Sequence, residues 1–254
     1  MLGRLAALAC LWTAPALACA PDDTFPDSFV VADGGAGLDR AWFSGPTDIY
    51  DHGVLGDAIE PGLLTIAGPA LAGTGCATVE AGPGHVFEDT APRLVDLTGN
   101  GLVEVIVVRS SVAEGAQLAI YGLLDGSVKM IAATPYIGLR NRWLAPVGAV
   151  DLDDDGAIEI AYIDRPHLAK TLVILRWQDG ALVQVAAASG LTNHRIGEPD
   201  IGGGIRDCGQ GPEMVLASAD WSRTLAVRFA EGEVKARDLG PYTGRKSFAA
   251  ALTC

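Results

Sequence analysis

The stretch Ala145–Tyr162, APVGAVDLDDDGAIEIAY, decides how the chain is read. Its centre places carboxylates at Asp151, Asp153 and Asp155, then Gly156, then Glu159, between the apolar β-prone runs Val147–Val150 and Ile158–Ile163. Two like charges about 4 Å apart repel by roughly 4 kcal/mol at an effective dielectric of ~20. A hard cation that takes six to eight oxygens at roughly 2.3–2.6 Å removes that cost. The stretch therefore reads as a calcium loop set between two strands.

Working outward, the same pattern of apolar run, acid, turn and second apolar run recurs. One copy is Ala91–Asp96 with its turn and Val103–Val108; another is Gly203–Asp207 with Glu213–Ala217. An earlier copy is taken at Tyr50–Asp57 with Leu63–Ile66. The acids Asp57, Asp96, Asp151 and Asp207 are then 39, 55 and 56 residues apart. A repeat of that length built only of short strands predicts a β-propeller, one four-stranded blade per repeat. Outer strands are expected around Asp125-Gly126, Gln178–Gly180 and Glu231-Gly232, which are hairpin turns by composition.

The expected fold is thus all-β, a single domain over 19–254, with inner strands near 52–66, 91–108, 145–163, 203–217 and 247–253. Ser28–Asp33 and Ser247–Thr253 are left over as single strands. Pairing them in a fifth blade closed by both termini would remove two exposed sheet edges. Four, six or seven blades, or a β-sandwich of hairpins, are the alternatives.

Two of these copies carry a family resemblance. DLDDDGAIEI at Asp151–Ile160 and DLTGNGLVEV at Asp96–Val105 resemble the FG-GAP/VCBS repeats of integrin-α-type β-propellers. The resemblance implies a calcium ion held by Asp151, Asp153, Asp155 and Glu159 with the carbonyl of Ala157. Glu159 departs from the aspartate usual at that place. Thr98 stands where the second copy would need a carboxylate, and Asp207–Gly211 has lost the motif, leaving Cys208 as an alternative staple.

Polar and aromatic groups precede each expected inner strand: Tyr50-Asp51-His52, Glu88-Asp89, Arg142-Trp143 and His194-Arg195. In a propeller such positions gather at one mouth of the central channel. His52, Asp89, Arg142, Trp143, His194 and Arg195 are accordingly the candidate ligand-binding group. The alternative is that they pair with one another and tie blades together. No G-x-S-x-G, H-E-x-x-H or P-loop sequence occurs, so no enzyme class is indicated.

Charge and the N-terminus bound the setting. The net charge is −13 and no Lys/Arg-rich run occurs, which argues against nucleic acid or an anionic membrane surface as partner. Met1–Ala18 reads as a signal peptide ending in Ala16-Leu17-Ala18, giving a secreted or periplasmic protein. Cleavage after Ala20, or a lipid anchor on Cys19, are the alternatives. Cleavage after Ala18 leaves Cys19, Cys76, Cys208 and Cys254, an even set allowing three pairings. The functional expectation is an exported, monomeric, calcium-stabilised binding or scaffold module for a protein or carbohydrate. A hydrolase or lyase acting at the channel mouth is the alternative.

Overall fold

The computed structural model describes residues 19–21 and 23–254. Residues 1–18, on which the signal-peptide expectation falls, lie outside them. The described chain is all-β apart from one short 3-10 turn and one C-terminal helix.

Four antiparallel sheets follow one another along the chain. The first is β1 (Val30–Val31), β2 (Arg40–Thr47), β3 (Glu60–Ala67) and β4 (Cys76–Glu80). The second holds β5 (His85–Val86) and β6 (Arg93–Val95), both paired to β7 (Glu104–Ser111), then β8 (Gly115–Leu124) and β9 (Ser127–Ala133). The third is β10 (Leu144–Val150), β11 (Glu159–Asp164), β12 (Thr171–Gln178) and β13 (Ala181–Ser189). The fourth holds β14 (Leu191–Thr192) and β15 (Gly204–Asp207), both on β16 (Pro212–Ser218), then β17 (Arg223–Ala230) and β18 (Glu233–Pro241).

Burial explains the strand compositions. β7, covered on both faces by neighbouring sheets, and β16, covered by a sheet on one face and by the C-terminal helix on the other, read as near-continuous apolar runs. The outer strands β9, β13 and β18 have one wet face and alternate. Between sheets lie three apolar layers. Phe43, Leu64 and Val105 mark the first; Ile106, Leu118 and Ile160 the second; Ile163, Leu216 and Phe229 the third. The outer hairpins turn where composition placed them; at Asp125-Gly126 both residues have positive φ, 51° and 72°, as a type I′ turn demands.

Two expectations are corrected. Ser247–Thr253 is not an inner strand, and the termini do not build a fifth sheet: Arg245–Leu252 is a helix, α1. The last sheet has no following sheet to cover its far face, and α1 covers it by burying Phe248 with Val215 and Ala217. Gly202 makes room for that ring, since a Cβ there would meet it at 2.5 Å.

The first repeat is also displaced. The hairpin equivalent to Asp96–Glu104 and Asp151–Glu159 is Asp33–Asp39, between β1 and β2. Tyr50–Asp57 lies in the next loop, joining β2 to β3. That loop reaches out of its sheet: Tyr50 Oη accepts Asn141 N–H at 3.0 Å, Val54 packs in the second apolar layer, and Gly197 N–H donates to Val54 O at 2.9 Å.

Cysteine pairing is Cys19–Cys76 and Cys208–Cys254. The first bond leaves no thiol on Cys19 to carry a lipid. The second ties the end of the chain to the β15–β16 loop, so that α1 is held at both ends. In the chain-entropy account a closed loop of this size contributes about 4 kcal/mol. Replacing Cys208 and Cys254 by serine should lower the melting temperature. It should also speed amide exchange in α1 before any other segment; uniform exchange would show that Phe248 alone seats the helix.

Candidate functional site

Three places concentrate chemistry: the acidic loop, a buried histidine cluster, and an open groove. In the acidic loop the hairpin register sets every carboxylate. Asp151 accepts the N–H of Asp155 at 3.1 Å and of Gly156 at 2.8 Å, and Asp155 accepts Ala157 N–H at 2.9 Å. Glu159, fully buried, accepts Leu152 N–H at 2.8 Å. The second sheet repeats this: Asp96 accepts Asn100 and Gly101 N–H, and Glu104 accepts Leu97 and Thr98 N–H. The acids therefore close their own loops through backbone N–H groups.

Oxygens of Asp151, Asp153 and Glu159 come within 4.8 Å of one another, a cluster that could hold a metal ion. Positive charge is already there. Arg176 stands opposite Glu159 across the β11–β12 ladder. Its guanidinium donates to Glu159 at 2.5 Å, Asp155 at 2.8 Å and Asp153 at 3.1 Å. Calcium and Arg176 want the same oxygens, so this donor set fits calcium only if the arginine leaves. Sequence reading missed Arg176 because it lies 17 residues beyond Glu159 and only strand pairing brings it back.

The histidine cluster joins His52, Trp143 and His194 as expected, with Glu88. Glu88 is fully buried; it meets His52 Nδ1 at 2.5 Å and accepts Ser110 Oγ–H at 2.5 Å. Its backbone carbonyl accepts Trp143 Nε1–H at 2.8 Å, and burial pushes its carboxyl pKa up. The Trp143 ring meets His194 edge-on at 4.9 Å and stacks on His167 at 6.3 Å. His194 Nε2 donates to Glu198 O at 2.9 Å, which leaves Nδ1 to accept from His167 Nε2 at 3.0 Å. Burial lowers the pKa of both rings, His167 to about 4. His167, half-buried in the loop between β11 and β12, belongs to this group.

The other expected members separate. Asp89 is locked by a bidentate pair with Arg93 at 2.5 and 2.9 Å and by Val108 N–H at 2.8 Å. The Arg142 guanidinium donates to the carbonyl of its neighbour Asn141, and the residue lines a hollow of about 20 Å³ with His52, Trp143 and His167. Arg195 is exposed elsewhere, its guanidinium 4.5 Å above the Trp221 ring.

The groove, of about 640 Å³, opens between Thr24–Ser28, Leu55–Pro61, Asp89–Ala91 and Pro199–Asp200. Nothing in the spacing of the sequence points to it, since it forms where the β2–β3 loop approaches the fourth sheet.

No family model matches the chain, and no curated protein matches it. Among solved structures it is similar to rhamnogalacturonan lyase YesW (TM-score 0.41, 14% identity, covering 73% of this chain and 43% of that one). It is similar also to a rhamnogalacturonan lyase of Bacillus licheniformis (TM-score 0.40, 15% identity, covering 87% and 53%). The chain spans about half the length of these proteins, and a likeness this low carries no argument about activity.

Two outcomes test this geometry. Arg176→Gln should cost roughly 3 kcal/mol by stranding buried Glu159. The variant's melting temperature should then rise with millimolar calcium, while the parent responds to neither calcium nor chelator; a calcium-responsive parent would show that the ion displaces Arg176. For the histidines, the unfolded chain takes up protons below about pH 6.5 while folded His167 stays neutral down to about 4. Stability should therefore fall as pH drops through that window. The fall should be smaller in His167→Asn, as read from melting temperature against pH.

Proposed function

We propose that the chain is an exported ligand-binding module of the propeller type, its four sheets acting as blades around one axis and its ligand surface being the groove. The neighbouring placement of the inner strands, β1 by β6, β6 by β10 and β10 by β15, supports the blade arrangement. The same loop-closing pattern in the second and third inner hairpins supports the FG-GAP/VCBS resemblance. Two disulfides suit an oxidising compartment, and among the described residues no helix is long and apolar enough to cross a membrane.

One observation carries the choice of binding over catalysis. In the histidine cluster the Ser110 hydroxyl donates to Glu88, and both side chains are fully buried, so neither reaches a substrate. The hollow beside His52 holds about 20 Å³, space for one water molecule and not for a sugar ring. The groove is some thirty times larger and open. His52, Trp143 and His194 thus serve to fasten sheets, and calcium takes no part in the proposed binding.

The hydrolase or lyase reading keeps one testable claim, that His52 is needed for turnover. Ile59, 46% exposed beside the groove, can be changed without disturbing the core. On peptide and glycan arrays, Ile59→Arg should lose the parent's binding and His52→Gln should keep it. Turnover of any arrayed compound that disappears in His52→Gln would overturn the binding reading.

A further inference from the structure

The groove has an unusual electrostatic interior. Five acids and no basic residue line it: Asp27, Asp57, Glu60, Asp89 and Asp200. Most are already committed. Asp89 is held by Arg93, Asp200 pairs with Arg245, and Asp57 accepts Ile59 N–H at 2.8 Å. Glu60 is different. It opens β3, is only 2% exposed, and has no hydrogen bond or ion pair among the described residues. A buried acid without a partner is costly and rare in native proteins, and calls for an explanation.

We propose that the groove receives a lysine side chain of a basic protein partner. The ammonium pairs with Glu60, and the methylene stem lies against the apolar wall formed by Phe25, Leu55 and Ile59. This inference rests on the groove being the ligand surface. An alkylammonium suits both halves of the site: apolar stems bury readily while the charge seeks a carboxylate. The chain's net charge of −13 favours approach of a basic partner.

The protonation chemistry follows. Burial first, then the charges of Glu88, Asp57 and Asp89, raise the Glu60 pKa to about 9, so the empty groove holds a neutral carboxyl at pH 7. Tyr50, whose own pKa is raised partly by Glu60, adds no positive charge. When an ammonium enters, the Glu60 O–H bond breaks, the proton goes to solvent, and the carboxylate pairs with the cation. No covalent bond forms. Binding should therefore release about one proton at pH 7, and affinity should rise up to about tenfold per pH unit from 7 towards 9.

The test is calorimetric titration of the whole protein with hexylammonium, hexanol and hexanoate, and with the peptide Gly-Lys-Gly, in buffers of different ionisation enthalpy. Hexylammonium and the peptide should bind with about one proton released, at least tenfold tighter than hexanol or hexanoate. Glu60→Gln, isosteric and neutral, should abolish both the preference and the proton release. It should also be more stable than the parent by a margin that widens as pH rises from about 4.5 towards 9, because over that range the unfolded carboxyl is ionised while the folded one keeps its proton. Equal binding of all three hexyl compounds, or cation binding without proton release, would overturn the lysine assignment while leaving the groove a ligand surface. Binding of hexylammonium but not the peptide would replace the protein partner by a small amine. If none of the four binds, the lysine assignment falls. Array binding that persists in Ile59→Arg would separately remove the groove as the ligand surface.

Discussion

The second, third and fourth sheets of this chain each have two apolar faces, and both must be covered. That constraint orders the molecule. Sheet packs on sheet through three successive apolar layers, and the central strands become continuous runs such as Glu104–Ser111 because neither face meets water. At the end of the series the cover has to come from elsewhere. The tail supplies it as a helix with one buried phenylalanine, over a glycine that leaves space for the ring.

Local chemistry in the sequence was therefore easier to read than closure. Turn residues, apolar runs and the Asp-to-Glu hairpins each depend on neighbours a few residues away, and these were legible: all three outer hairpins fall where Asp-Gly and Glu-Gly placed them. The tail was not, because SFAAALT suits strand or helix equally and only the uncovered face of the fourth sheet decides. The first hairpin escaped for a related reason. Asp33–Asp39 is rich in glycine and has no acid between its two end aspartates, while Tyr50–Asp57 looks more polar and drew the repeat to itself.

The candidate sites divide along the same line. Trp143 and His194 meet beside the inner strands β10 and β15, while His52 arrives from the β2–β3 loop, and their partners Glu88, Ser110 and His167 are set by packing between sheets. Glu60 and Arg176 were invisible for opposite reasons. Arg176 is a cation whose target is across a strand pair; Glu60 is a buried carboxyl with no side-chain partner among the described residues, and a missing partner leaves no trace in spacing.

Unlike closures on otherwise similar hairpins have a consequence for assembly. The third hairpin is held by Arg176, the fourth by Arg228 together with a disulfide to the chain end, and the second has Gly122 where an arginine would have to reach Glu104. Repeated sheets with interchangeable faces can dock in the wrong order during folding. Arg176 and Glu159 lie on adjacent strands of one sheet, so the third hairpin carries its counter-charge with it however the sheets dock, whereas the fourth is complete only once Cys254 has returned to Cys208.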